Sequence, residues 1–167
     1  MRVAEFINSD KVIEDVACGT IRLGGIPELT LRRNYLLGIR ALRMAANYDL
    51  PVESGTWVAI VQAASRIADY VPPHEFVAEW RRVAAENMWR FIQLPADASI
   101  LHRLIPEVAA LASLSQNKGK NVDDEQSVFQ HTIDCMRYYP EERLHHDWIG
   151  VVAVFFHDVG KLYTAQR

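Results

Sequence analysis

His157 stands beside Asp158 and is followed by Val159, Gly160 and Lys161. An adjacent imidazole nitrogen and carboxylate oxygen that face one cavity can ligate one divalent ion. His131 lies 26 residues earlier, within Phe129-Gln130-His131-Thr132, where a neighbouring helix could bring it to the same ion. The candidate metal ligands are thus His131, His157 and Asp158, and the candidate ions are Mg2+, Mn2+, Ni2+ and Fe2+. Such an ion lowers the pKa of a bound water and polarises a phosphoryl oxygen. Lys161 is the candidate catalytic group, a point charge for the phosphate. A structural alternative is helix termination, with Gly160 ending the helix and Lys161 complementing its dipole. His74, His102 and the pair His145-His146 lack this context and read as solvated surface.

These side chains need helices to position them. Residues 1–31 carry the turn signals Gly19, Gly24, Gly25 and Pro27, with too little alternation for a sheet. From Thr30 the apolar spacing turns helical. It predicts helices near 31–47 (Leu36, Ile39, Leu42, Met44 and Ala46 inward) and 53–70 (Val58, Ile60, Val61, Ala64 and Ile67 inward). Pro72-Pro73 should end the second helix and launch a third over 75–92, carrying Trp80, Val83, Met88 and Phe91. Shorter helices are predicted from Pro95 or Asp97 to Leu104 and from Pro106 to Leu114. The polar stretch 115–126 reads as a linker. Helices over 127–138 and 141–156 then carry the histidine-aspartate residues. The expected fold class is all-α.

Composition bounds the function. The 167 residues hold 18 Lys plus Arg and 21 Asp plus Glu, a net charge of −3, and are 50% hydrophobic, which excludes a disordered chain and a general nucleic-acid coat. The longest apolar run, Val151 to Phe156, has six residues against the roughly 20 that span a bilayer, so no membrane partner is expected. No basic-then-apolar leader is visible. Cys18 and Cys135 are the only cysteines, and their separation reads as two thiols in the cytoplasm, with one disulfide as the alternative. Charge is uneven: Arg22, Arg32, Arg33, Arg40 and Arg43 face a single acid, Glu28, across residues 22–43. That stretch could meet phosphates. Seven acids and two arginines fill residues 123–147 and could meet a cation.

Residues 127–164, SVFQHTIDCMRYYPEERLHHDWIGVVAVFFHDVGKLYT, resemble the HD domain attached to bacterial CCA-adding enzymes, the tRNA nucleotidyltransferases of the poly(A) polymerase family. Residues 14–28, EDVACGTIRLGGIPE, are similar to the segment that follows the catalytic sheet in that family, and residues 36–50, LLGIRALRMAANYDL, to its neck helix. Thr56 to Ile67 and Ile105-Pro106-Glu107 fit the next neck and body helices.

The resemblance implies an irregular segment at 1–31 after an absent nucleotidyltransferase sheet, a helical neck and body at 32–114, a linker at 115–126 and a partial HD domain at 127–167. It also implies either a piece of a longer protein or a decayed relative. The family's Gly-rich turn and paired aspartates for nucleotidyl transfer do not occur here. Its base-reading Glu-Asp-x-x-Arg motif falls on Arg33, Asn34 and Leu37, and a leucine cannot make the bidentate contact of an arginine. The family's second HD aspartate has no counterpart after Asp158. The leading expectation is a helical RNA-processing scaffold that contacts tRNA or other RNA through Arg22, Arg32, Arg33, Arg40 and Arg43. The alternative is an HD-type phosphohydrolase acting on phosphomonoesters or 2′,3′-cyclic phosphates. Apolar surface left uncovered by the missing parts would favour a homodimer.

Overall fold

A computed structural model describes residues 19–117, 125–139 and 147–164. The architecture is all-α. Helices α1 (Pro27–Arg33), α2 (Leu36–Tyr48), α3 (Ser54–Gln62), α4 (Ala64–Tyr70) and α5 (Pro73–Trp80) form the first layer of packing. They are followed by α6 (Met88–Asp97), the short α7 (Leu101–Leu104) and α8 (Pro106–Ala109), then α9 (Val128–Tyr138), α10 (Trp148–Phe156) and α11 (Lys161–Thr164). No helix among the described residues is long and apolar enough to cross a membrane.

Local side-chain chemistry breaks the long helices expected from spacing into shorter ones. The 31–47 helix is two elements, because Asn34 is extended and its Oδ1 accepts from the Leu36 N–H at 3.0 Å. The exit of α2 passes through Asp49 at φ 52°, a left-handed residue of a type that tolerates that region. Glu53 caps α3 by accepting from the Thr56 N–H at 2.7 Å. The helix then breaks at Ala63. Ile60, Ala64 and Ile67 are buried on one side, while Val58 and Val61, expected inward, lie off that side and are exposed. The 75–92 helix starts at Pro73 but stops after Trp80. There Asn47 takes over the backbone, donating to the Arg82 carbonyl at 3.0 Å and accepting from the Ala84 N–H at 3.1 Å. A three-ten turn over Ala85–Asn87 restarts the chain into α6. Pro95 lies within α6 instead of opening the next helix, and Pro106 opens α8.

The expected linker contains regular structure at both ends. Ser115–Asn117 (β1) and Glu125–Ser127 (β2) pair antiparallel, Ser115 opposite Ser127 and Asn117 opposite Glu125. Cys18, His145, His146 and most of the acids of 123–147 lie outside the described residues.

Packing is by helix pairs. The central α2 lies against α5 and α6, and α9 lies between α6 and α10. Gly38 makes the α2–α4 approach close: a Cβ there would sit 2.8 Å from Ile67 Cδ1. Leu31, Ile39, Leu42, Ile60, Ile67, Met88, Phe91 and Ile92 fill the interior. An aromatic cluster joins the C-terminal helices to this core. Trp80 meets Phe155 edge-on at 5.4 Å and Trp148 at 5.9 Å, and Phe76 stacks on Phe91 at 5.8 Å. The histidine-aspartate residues thus hang from helices anchored in the main core.

Candidate metal centre

Helix α9 brings the first ligands. Ser127 caps it by accepting from the Gln130 N–H at 3.1 Å, and Thr132 Oγ1 bonds back to the Val128 carbonyl at 2.9 Å. Val128, Phe129, Thr132, Ile133 and Met136 face the core. Successive turns therefore place His131 and Cys135, four residues apart, together on the flank of that buried face. Asp147 caps α10 by accepting from the Ile149 N–H at 3.0 Å. Val151 and Phe155 bury one side of α10, and His157 follows at its C-cap. Asp158 comes next, in the turn before α11, and is buried.

The fold places His131, His157 and Asp158 near one another. His157 Nε2 lies 3.3 Å from Asp158 Oδ2 and His131 Nε2 lies 4.0 Å from the same oxygen. The two imidazole rings are 5.8 Å apart. Lys161 Nζ reaches that oxygen too, at 2.7 Å. Three basic groups thus converge on one carboxylate oxygen whose side chain is 10% exposed.

The tautomer of His157 matters. Its Nδ1 lies against the Val154 carbonyl, so Nδ1 carries hydrogen and donates. In the neutral ring Nε2 is then an acceptor, and it faces the Asp158 carboxylate, another acceptor. The Lys161 ammonium, 2.7 Å from that same carboxylate oxygen, supplies positive charge beside the pair. A backbone-fixed imidazole presenting its other nitrogen beside a carboxylate is also how histidine is oriented toward a metal.

The site includes a residue that the sequence reading passed over. Cys135 Sγ lies 3.4 Å from His131 Nε2, and one ligand atom each of His131, Cys135 and His157 falls within 4.8 Å of the others. Cys135 is a thiol. The i, i+4 spacing from His131 was its visible signal. The donor set of two imidazoles and a thiol, with the Asp158 carboxylate beside it, has the chemistry of a divalent-ion site.

Lys161, expected to hold a phosphate, is engaged with Asp158, while its side chain is still 41% exposed. The arginines divide. Arg22, Arg32 and Arg33 are exposed. Arg43 is buried, and its Nε donates to Glu79 Oε2 at 2.7 Å. Arg40 Nε donates to Glu79 Oε1 at 2.9 Å, with Arg82 Nη1 3.5 Å away from that same atom. A buried guanidinium tied to a buried carboxylate cannot track an RNA backbone, which corrects the expectation for Arg43 and withdraws part of Arg40.

Comparison with protein-family models and with curated proteins finds no match to this chain.

Proposed function

We propose that this chain is a metal-dependent phosphohydrolase module of the HD type, set on a helical body of the kind that accompanies CCA-adding enzymes. One observation carries the reading. His131 and His157, which lie on separate helices, both present Nε2 to the buried Asp158 Oδ2, at 4.0 and 3.3 Å. A divalent ion bound there supplies charge neutralisation and an activated water for cleavage of a phosphate ester. The chain's own residues do the rest. The Val154 carbonyl fixes the His157 ring, and Phe155 and Val151 hold its helix in the core. Lys161 is exposed enough to contact a substrate phosphate while its resting partner is Asp158.

The test is elemental analysis of the purified chain, with release of phosphate from a phosphomonoester and opening of a 2′,3′-cyclic nucleotide as activity readouts. The expected result is about one equivalent of metal and metal-dependent turnover, both lost in His157→Ala. Turnover that is unchanged in His157→Ala overturns the reading.

An RNA-scaffold role rests on Arg22, Arg32 and Arg33, which remain on the surface. It expects RNA affinity that falls steeply with salt and weakens when Arg32 and Arg33 are replaced by alanine. Salt-independent binding, or none, excludes it.

A further inference from the structure

We propose that Cys135 is a ligand of the metal site as its thiolate, so that the protein set is two imidazoles and one sulfur, with Asp158 held outside it. This rests on the metal-site reading above and changes which ion the site takes.

Geometry places the sulfur inside the imidazole pair. Cys135 Sγ is 3.4 Å from His131 Nε2, and a ligand atom of His157 lies within 4.8 Å of both residues' ligand atoms. Donor atoms bound to one tetrahedral ion at metal–ligand lengths of about 2.0–2.3 Å are roughly 3.3–3.8 Å apart. The Cys135–His131 separation already has that value, and a ligand atom of His157 stands within 4.8 Å of that pair.

Electrostatics place Asp158 differently. Its Oδ2 is already neutralised by the Lys161 ammonium at 2.7 Å, and the carboxylate is buried in that arrangement. Ligation through that same oxygen would put the ion in competition with the Lys161 ammonium. Keeping the pair leaves the Val154 carbonyl at Nδ1 as the orienting partner of His157, with the two histidines and the cysteine as ligands. Three protein ligands leave one position of a tetrahedron for water or a phosphate oxygen.

Binding then breaks the Cys135 S–H bond. The sulfur electron pair bonds to the ion and the proton leaves to solvent, with no change of oxidation state. A thiolate with two imidazoles selects Zn2+, Co2+ or another borderline-soft ion over Mg2+ or Mn2+.

The experiment is a Co2+ titration of the full chain followed by absorbance, with Cys135→Ser, Cys135→Ala, Asp158→Asn and His157→Ala alongside and circular dichroism to check folding. A near-ultraviolet sulfur-to-cobalt charge-transfer band should grow to one equivalent in the parent and in Asp158→Asn. It should vanish in both Cys135 variants, with Zn2+ affinity reduced by at least about tenfold, the lower bound for losing even an outer-shell partner. Visible cobalt bands without charge transfer overturn Cys135 ligation and leave the histidine-aspartate site standing. Loss of binding in Asp158→Asn with retention in Cys135→Ser also overturns it. No cobalt uptake by the folded parent overturns both readings.

Discussion

Glu79→Gln tests whether the arginines of α2 serve the fold or a ligand. Glu79 is 3% exposed by side chain and Arg43 is 6% exposed, so their contact at 2.7 Å is a buried ion pair. Arg40 and Arg82 are 38% and 49% exposed, and solvent screening leaves each worth at most about 1 kcal/mol. The main effect comes from Arg43. An amide in place of the carboxylate removes the charge that the buried guanidinium meets at 2.7 Å, a loss of up to about 3–5 kcal/mol. For a chain of this size that lowers Tm by roughly 6–20 °C. Urea and thermal unfolding followed by circular dichroism measure it, in a cycle with Arg43→Met and Glu79→Leu. The double apolar variant should recover most of the loss, because replacing both partners removes the stranded charge. A loss below about 1 kcal/mol in Glu79→Gln would show that the pair is solvated and that Arg43 is available for phosphate.

Three further outcomes follow from the geometry. Ser127→Ala removes the cap of the helix that carries His131 and Cys135, and should cost about 0.5–2 kcal/mol in unfolding free energy; no loss would mean that the hydrogen bond to Gln130 is not formed. Gly38→Leu puts a side chain where a Cβ alone would meet Ile67 Cδ1 at 2.8 Å and Leu31 Cδ2 at 3.4 Å, and should destabilise by about 1–3 kcal/mol through overpacking. A neutral or stabilising result in a denaturant titration would refute the close approach of α2 to α4. Glu53 is held below the ordinary glutamate value of 4.5, first by the Gly55 N–H and then by the Thr56 N–H. A depressed folded-state value gives stability that is present above the unfolded value and is lost as pH falls through the folded one. The Tm gap between the parent and Glu53→Ala should therefore narrow in the acid range, and a gap that is constant from neutral pH to strong acid would show that capping by the carboxylate is not the cause.

Breaks in the helices were the least legible part of the fold. Trp80, Val83, Met88 and Phe91 are all buried, as their spacing predicts, yet the single helix assumed to carry them is interrupted. The interruption comes from Asn47, more than thirty residues away in sequence, which binds the backbone of the 81–84 turn. No window of the local sequence contains that information. Val58 and Val61 differ: apolar type suggested burial, yet they lie off the face of Thr56, Ile60, Ala64 and Ile67, which the helical period already separates. Asn34 and Glu53, by contrast, act within three residues of themselves, and such caps can be read directly.

By itself the sequence determined the helical class and most of the apolar face of α2, because helical periodicity is a local property; it could name His131, His157 and Asp158 as candidates, but their approach across separate elements is a matter of packing. It also set His131 and Cys135 on one helix face by their four-residue spacing. Tertiary structure alone decided what the charged groups do. Arg43 could have met a phosphate, but the fold set it on the buried Glu79; it also gave Lys161, still 41% exposed, a resting partner in the buried Asp158. Burial imposes this choice, since a charge removed from water must find its partner among groups brought close by packing, and those groups are distant along the chain or hidden in a turn.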